Sequence, residues 1–162
     1  MRYTKISMTD VIIAGAGAAG LMTAITAARR GLSVTVLEPN GKTGKKLRIT
    51  GKGRCNVANN CTSDEVLKNV PVNPRFLYSA FYSFTNEDVI KLINSLGVPT
   101  KTERGGRVFP QSDMARDVAE ALVRNAKKHG ARFVTGKVTG IDTSDGKVRG
   151  VTLSDGKKLE AD

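Results

Sequence analysis

The stretch most able to do chemistry is VIIAGAGAAG, residues 11–20, in which Gly15, Gly17 and Gly20 stand as G-x-G-x-x-G. The chemistry is the holding of a diphosphate. Gly15 permits a tight turn from strand to helix. Gly17 has no Cβ, so a diphosphate can approach the backbone. Gly20 lets the helix pack closely on the strand. The amides at Ala18 and Ala19 then point at the phosphates, aided by the helix dipole. Glu38, followed by Pro39, supplies an acid where the second strand closes. Its carboxylate can accept hydrogen bonds from adenosine ribose hydroxyls, and it repels a phosphorylated ribose. A glycine-rich turn without a ligand has the same spacing alone. The strand before, the helix after and the acid beyond make the pattern a dinucleotide signature.

A second stretch is GKKLRITGKGRCN, residues 44–56. It carries Lys45, Lys46, Arg48, Lys52 and Arg54 with no acid, and Gly44, Gly51 and Gly53 punctuate it. Such a loop either wraps an anionic ligand or is a solvated basic surface. Cys55 lies inside it. Without a CxxC partner, Cys55 reads as a small packing residue before it reads as a redox thiol. His129, the one histidine, stands in KKHG at a helix end and suits the dipole there. Glu103, Arg104 and Arg107 flank a glycine pair and either face a site or hold a hairpin.

The elements that must position these residues follow from periodicity. Residues 10–14 and 33–37 predict strands, with a helix over 18–30 between them, whose packed side is Leu21, Met22, Ala24, Ile25 and Ala28. That is a βαβ unit. Residues 39–60 predict a long basic loop, and a structureless stretch of that size is usually functional. Helices are expected over 74–84, with Leu77, Phe81 and Phe84 on one face, and over 86–96, with Val89, Leu92, Ile93 and Leu96. A hairpin is expected over 98–109 around Gly105-Gly106, then a helix over 113–129 and a strand over 131–134. Residues 137–142, 148–153 and 157–160 predict a three-stranded meander turning at two SDG triplets.

Both NAD and FAD use the glycine fingerprint. An NAD domain continues quickly through further βα units. Here the insertion after Glu38, spanning 39–112, and the later meander fit a two-dinucleotide flavoprotein better. The reading is an α/β Rossmann-like FAD-binding domain with a helical insertion and a three-stranded antiparallel meander.

At 162 residues the chain can bury one domain-sized core, and its 26 Lys and Arg against 15 Asp and Glu leave a formal +11. That charge points to a polyanionic partner or to a missing acidic remainder of the chain. A nucleic-acid-binding module is the competing class, but aromatics are few and no RNA-binding signature is visible. Two cysteines form neither a metal-ligand pattern nor a disulfide framework. No signal peptide is legible at the start, and the glycines at 15, 17 and 20 break the most apolar early stretch. The expectation is a cytoplasmic protein without a membrane span. The stop just after a strand-like segment suggests a fragment, and a truncated edge favours self-association. An empty remnant without chemistry is the third alternative.

"GKKLRITGKGRCNVANN" and "ERGGRVFPQSDMARDVAEAL" resemble two signatures of a bacterial FAD-dependent oxidoreductase family, the aminoacetone-oxidase-like and bile-acid-reductase-like flavoproteins. The resemblance covers residues 11–162. It implies a fold of the glutathione-reductase type, with residues 1–162 as the N-terminal FAD-binding portion. The substrate domain and a C-terminal FAD contact would lie beyond. It also implies hydride transfer through the flavin, with NAD(P)H and a small-molecule substrate as partners of the full-length protein. On this resemblance Lys45 or Lys46 offsets diphosphate charge. Backbone at Gly51, Gly53, Arg54, Cys55 and Asn56 approaches the flavin, and Arg54 and Asn56 bond ring or ribitol oxygens. Val138 is matched to the residue whose backbone pairs with adenine. No catalytic residue is assigned.

Overall fold

The structure, a computed structural model, describes residues 9–161. The strands in chain order are β1 (Val11–Ala14), β2 (Val34–Glu38), β3 (Ala58–Asn59), β4 (Thr100–Glu103), β5 (Arg107–Pro110), β6 (Arg132–Thr135), β7 (Val138–Ser144), β8 (Lys147–Leu153) and β9 (Lys158–Glu160). The helices are α1 (Ala18–Arg29), α2 (Lys45–Ile49), α3 (Ser63–Lys68), α4 (Tyr78–Ser83), α5 (Asn86–Ser95) and α6 (Ala115–Lys128). The chain divides into two compact units. One comprises the residues through Lys45 and those from Leu122 onward; the other is Lys46–Ala121. Among the described residues no helix is long and apolar enough to cross a membrane. The expectation of no signal peptide rests on the first ten residues, of which 1–8 lie outside the described ones.

The first unit is built on a parallel sheet of order β1-β2-β6. In β2, Val34, Thr35, Val36 and Leu37 are all buried, the continuous run expected of a strand covered on both faces. α1 buries Leu21, Ala24, Ile25 and Ala28, one stripe at helical spacing. The antiparallel meander β7-β8-β9 joins the same core, where Leu37, Val151 and Leu153 pack with Ile12, Val138 and Leu159. This is the Rossmann-like α/β arrangement with a three-stranded meander that the sequence predicts.

The second unit carries the antiparallel sheet β3-β5-β4, with the expected hairpin turning through residues 104–106. Val98, Val108, Phe109 and Ile93 are buried here. Three expectations change. Residues 39–60 are not a continuous loop: α2, a turn at Thr50–Gly53 and β3 lie within them. Propensity missed α2 because its five residues are too few to show a period. The helix α3 was missed although Thr62 and Glu65 form a reciprocal capping box, in which the Thr62 amide donates to Glu65 at 2.9 Å. The helix expected over 74–84 is a 3-10 turn, Pro74–Leu77, followed by α4. Its expected apolar face is largely uncovered within the described residues, since Leu77 and Phe84 are exposed. The other shifts, such as α6 ending at Lys128 instead of 129, are one or two residues at element ends.

Candidate functional site

The glycine turn begins where β1 ends. Gly15 has φ +101, and its amide donates to the Leu37 carbonyl at 2.7 Å, pinning the turn to the end of β2. Gly17 is the N-cap of α1, in extended backbone at φ −77 and ψ −171. No side chain caps this helix start, and no acid stands in its first turn. The first amides of α1, those of Ala18 and Ala19 included, are the orphan donors every helix start presents.

The space beside the turn separates the roles of two glycines. A Cβ added at Gly17 would meet nothing within 4 Å. A Cβ added at Gly20 would lie 2.0 Å from the Gly15 carbonyl oxygen and 3.3 Å from Ile13 Cγ2. Gly17 therefore leaves an open approach for a ligand, and Gly20 permits the backbone contact that seats α1 on β1.

Glu38, at the end of β2, turns its carboxylate onto this turn. Oε2 accepts from the Ala16 amide at 2.9 Å. Oε1 accepts from the Asn40 amide at 3.0 Å and from Asn40 Nδ2 at 2.7 Å. Partial burial pushes the Glu38 pKa up, but the Asn40 and Ala16 donors and the Lys45 charge outweigh it and hold the group below the usual carboxylate range. A carboxylate offers about four acceptor sites, so three donors leave capacity for a ribose hydroxyl. The Gly44 amide donates to the Ala16 carbonyl at 2.9 Å, bringing the start of the basic segment to the turn. These donors and the free approach fit the adenosine-diphosphate half of FAD.

The remaining candidates divide between the units. Gly15, Gly17, Ala18, Ala19, Gly20, Glu38, Pro39, Lys45 and Val138 belong to the first; Lys46, Gly51, Gly53, Arg54, Cys55 and Asn56 belong to the second. Val138 opens β7, opposite Leu153, and packs beside Leu37. In the second unit the backbone of Gly51 and Lys52 is left-handed, at φ 56 and φ 58. A Cβ on Gly51 would meet the Asn56 amide nitrogen and Phe109 Cε1, each at 3.1 Å. The Asn56 side-chain amide, oriented to donate, reaches the carbonyls of Ala58 at 3.0 Å and Val108 at 3.2 Å.

Arg54 stands at the centre of an ionic knot. Its Nη2 binds Glu103, its Nε donates to Asp113 Oδ1 at 2.8 Å, and its guanidinium lies 4.1 Å from the centroid of the Phe109 ring. Lys101 closes the knot on Asp113 at 2.6 Å. Glu103 and then Asp113 hold the Arg54 pKa above its ordinary value, and the cations hold both acids below theirs. Cys55 is 2% exposed at φ 62, and burial pushes its thiol up despite a bond with Thr50. A raised thiol is a poor nucleophile, which suits the packing role. His129 Nε2 accepts from Arg29 Nε at 3.4 Å, in the first unit.

Sequence reasoning missed Asn40 and Ala16 as the groups that orient Glu38. The sequence likewise does not assign Glu103, and Asp113 reads there as a helix start. An Asx residue two positions after an acid is a signal for the Asn40 contact. Nothing in the local sequence signals the Arg54 partners.

A family model described as the HI0933-like protein Rossmann domain matches residues 9–162. The chain is 34% identical over 131 residues to a 3-dehydro-bile acid delta(4,6)-reductase of Clostridium scindens, covering 80% of this chain and 31% of that protein. It is 35% identical over 127 residues to a ribosomal RNA dihydrouridine synthase of Haemophilus influenzae, covering 78% and 31%. The chain thus spans about a third of the length of these curated relatives. A 3-ketosteroid-delta4-(5alpha)-dehydrogenase from Rhodococcus jostii superposes with a TM-score of 0.63 at 19% identity, over 98% of this chain and 45% of that one. That last likeness is one of fold.

Proposed function

The chain belongs to the HI0933-like Rossmann-domain family, an FAD-binding fold of oxidoreductase type, and from that premise we propose that it holds the adenosine-diphosphate half of FAD in a flavin-dependent oxidoreductase. The observation that carries the reading is the pairing of an open approach at Gly17 with a Glu38 carboxylate anchored at Ala16, 2.9 Å away. The amides at Ala18 and Ala19 take the diphosphate at the positive end of α1. Glu38 takes the ribose, and Lys45 adds positive charge. The backbone at Val138 is assigned to adenine. The sequence resemblance assigns Lys46 to diphosphate charge and Gly51, Gly53, Arg54, Cys55 and Asn56 to the flavin.

Bound FAD supplies two-electron chemistry, exchanging a hydride with NAD(P)H and with a small-molecule substrate in the whole protein. The residues of this chain bind and orient the cofactor for that exchange. Extraction of purified protein followed by mass spectrometry should release FAD. Release of NAD alone, or a colourless protein that takes up no added FAD, refutes the reading. Anaerobic mixing of the whole protein with NADH or NADPH should bleach the flavin absorbance with one donor faster than with the other.

A second reading concerns the substrate. The formal charge of +11 and the relative named for ribosomal RNA support uridine within RNA as a substrate, beside the small molecule that the bile-acid relative supports. The flavin chemistry is the same in both.

A further inference from the structure

We infer that the edge of the parallel sheet opposite the glycine turn is an RNA-docking surface, built where the C-terminal ends of α1 and α6 meet. The inference rests on the second reading for the choice of RNA among polyanions.

The topology places this edge. β1, β2 and β6 are parallel, and the glycine turn lies at their carboxyl ends. α1 runs back for 12 residues, about 18 Å at helical rise, so Arg29 and Arg30 arrive where β2 begins. α6 likewise ends at Lys128, just before β6 begins at Arg132. Arg29 ties the two helix ends together, donating to His129 at 3.4 Å and to Asn125 Oδ1 at 3.2 Å.

The chemistry of the edge is one-sided. Residues 11–37 and 121–136 contain no acid, and their cations meet here. Arg29, Arg30, Arg124, Lys127, Lys128 and His129 are all exposed. Arg124 and Lys128 are four apart on α6, in the row next to Asn125 and His129. Lys127 lies 5.6 Å from the Phe133 ring centroid. Among the described residues Asp10 also stands at this edge, accepting from the Ser33 amide at 2.6 Å, and the bridge between Thr9 and Ala161 brings the end of β9, with Glu160, to the start of β1.

The cofactor does not explain these charges, because the diphosphate sits at the other end of α1. The helix dipoles favour cations at these ends, but their effect fades within the last turn. Arg124 stands one turn before the end of α6, and Arg30 is the C-cap residue just past the end of α1. An interfacial membrane helix lays apolar side chains beside its basic ones. Leu32, 41% exposed, is the single large apolar exposed within residues 29–32 and 124–132. Phosphate oxygens presented by a structured RNA match arginine forks and mobile lysines.

The test uses the purified chain and a fluorescein-labelled hairpin RNA, with affinity measured by anisotropy across a salt series. The variant R30Q/R124Q/K128Q removes three exposed cations outside the cofactor turn. The control K68Q/K91Q/K147Q removes three elsewhere. Each lost phosphate contact should lower the slope of log affinity against log salt by roughly 0.7–0.9, so the first variant should lose about 2–3 from the slope. The control should keep the wild-type slope, and both should keep wild-type flavin content. Equal losses in both variants would mean diffuse attraction by net charge and overturn the inference. A wild-type chain that binds the hairpin, with an unchanged R30Q/R124Q/K128Q variant, overturns the surface but spares the RNA reading. No RNA binding by the wild type overturns both. So does binding that depends on these three residues only with phosphatidylserine-containing vesicles.

Discussion

Replacing Gly17 by valine separates binding from folding, and Gly20 supplies its opposite. At Gly17 the backbone is extended, φ −77 and ψ −171, which a β-branched residue adopts readily, and an added Cβ meets nothing within 4 Å. The folded chain should accept the Gly17→Val change at the modest cost of a poorer N-cap, about 1 kcal/mol. The same side chain occupies the diphosphate approach. Displacing the diphosphate from two helix-start amides forfeits two charge-assisted hydrogen bonds, each worth about 1.5–3 kcal/mol. Together that is about 3–6 kcal/mol, or a 10²- to 10⁴-fold weaker affinity for FAD. At Gly20 a Cβ would sit 2.0 Å from a backbone oxygen, so G20A must push α1 off β1 and lower stability. FAD affinity is read by fluorescence titration of the apoprotein, and stability by urea unfolding. A G17V chain with wild-type FAD affinity refutes the assignment of the turn. A G17V chain less stable than G20A refutes the packing argument.

Other consequences follow from the same contacts. Glu38 is held below the usual carboxylate range, so its stabilising contribution is present above about pH 4.5 and is lost as pH falls through its lowered folded value. E38Q should flatten that acid limb of the thermal midpoint and weaken FAD binding; an unchanged limb would show that the Ala16 and Asn40 contacts contribute nothing. Arg54→Ala leaves Glu103 and Asp113 without the guanidinium between them. The thermal midpoint should fall, most at low salt, and a midpoint independent of the substitution would count against the knot as a brace. Thr62→Ala removes the cap of α3 and should cost about 1 kcal/mol. Amide exchange over 63–68 should quicken more than elsewhere, and uniform exchange would place the cap's effect outside the helix.

The βαβ frame was legible because its signals are local. A buried run such as VTVL, a stripe at Leu21, Ala24, Ile25 and Ala28, and a glycine where only a turn fits are each visible within one element. The short helices α2 and α3 were not, since five or six residues hold too little pattern to outweigh their surroundings. The exposed face of Leu77 and Phe84 shows the same limit from the other side: apolar spacing marks a face that wants cover, but not whether it has any.

By itself the sequence determined which backbone segments can bend and pack, because glycine spacing and apolar period act through neighbouring residues. It also determined that an acid would stand at the end of the second strand. Only the tertiary structure decided what that acid faces. Glu38 reaches an amide 22 residues earlier, and Arg54 finds its two carboxylates 49 and 59 residues later. Those pairings depend on where strands return in space, and electrostatics acts on distance through space with no memory of order along the chain.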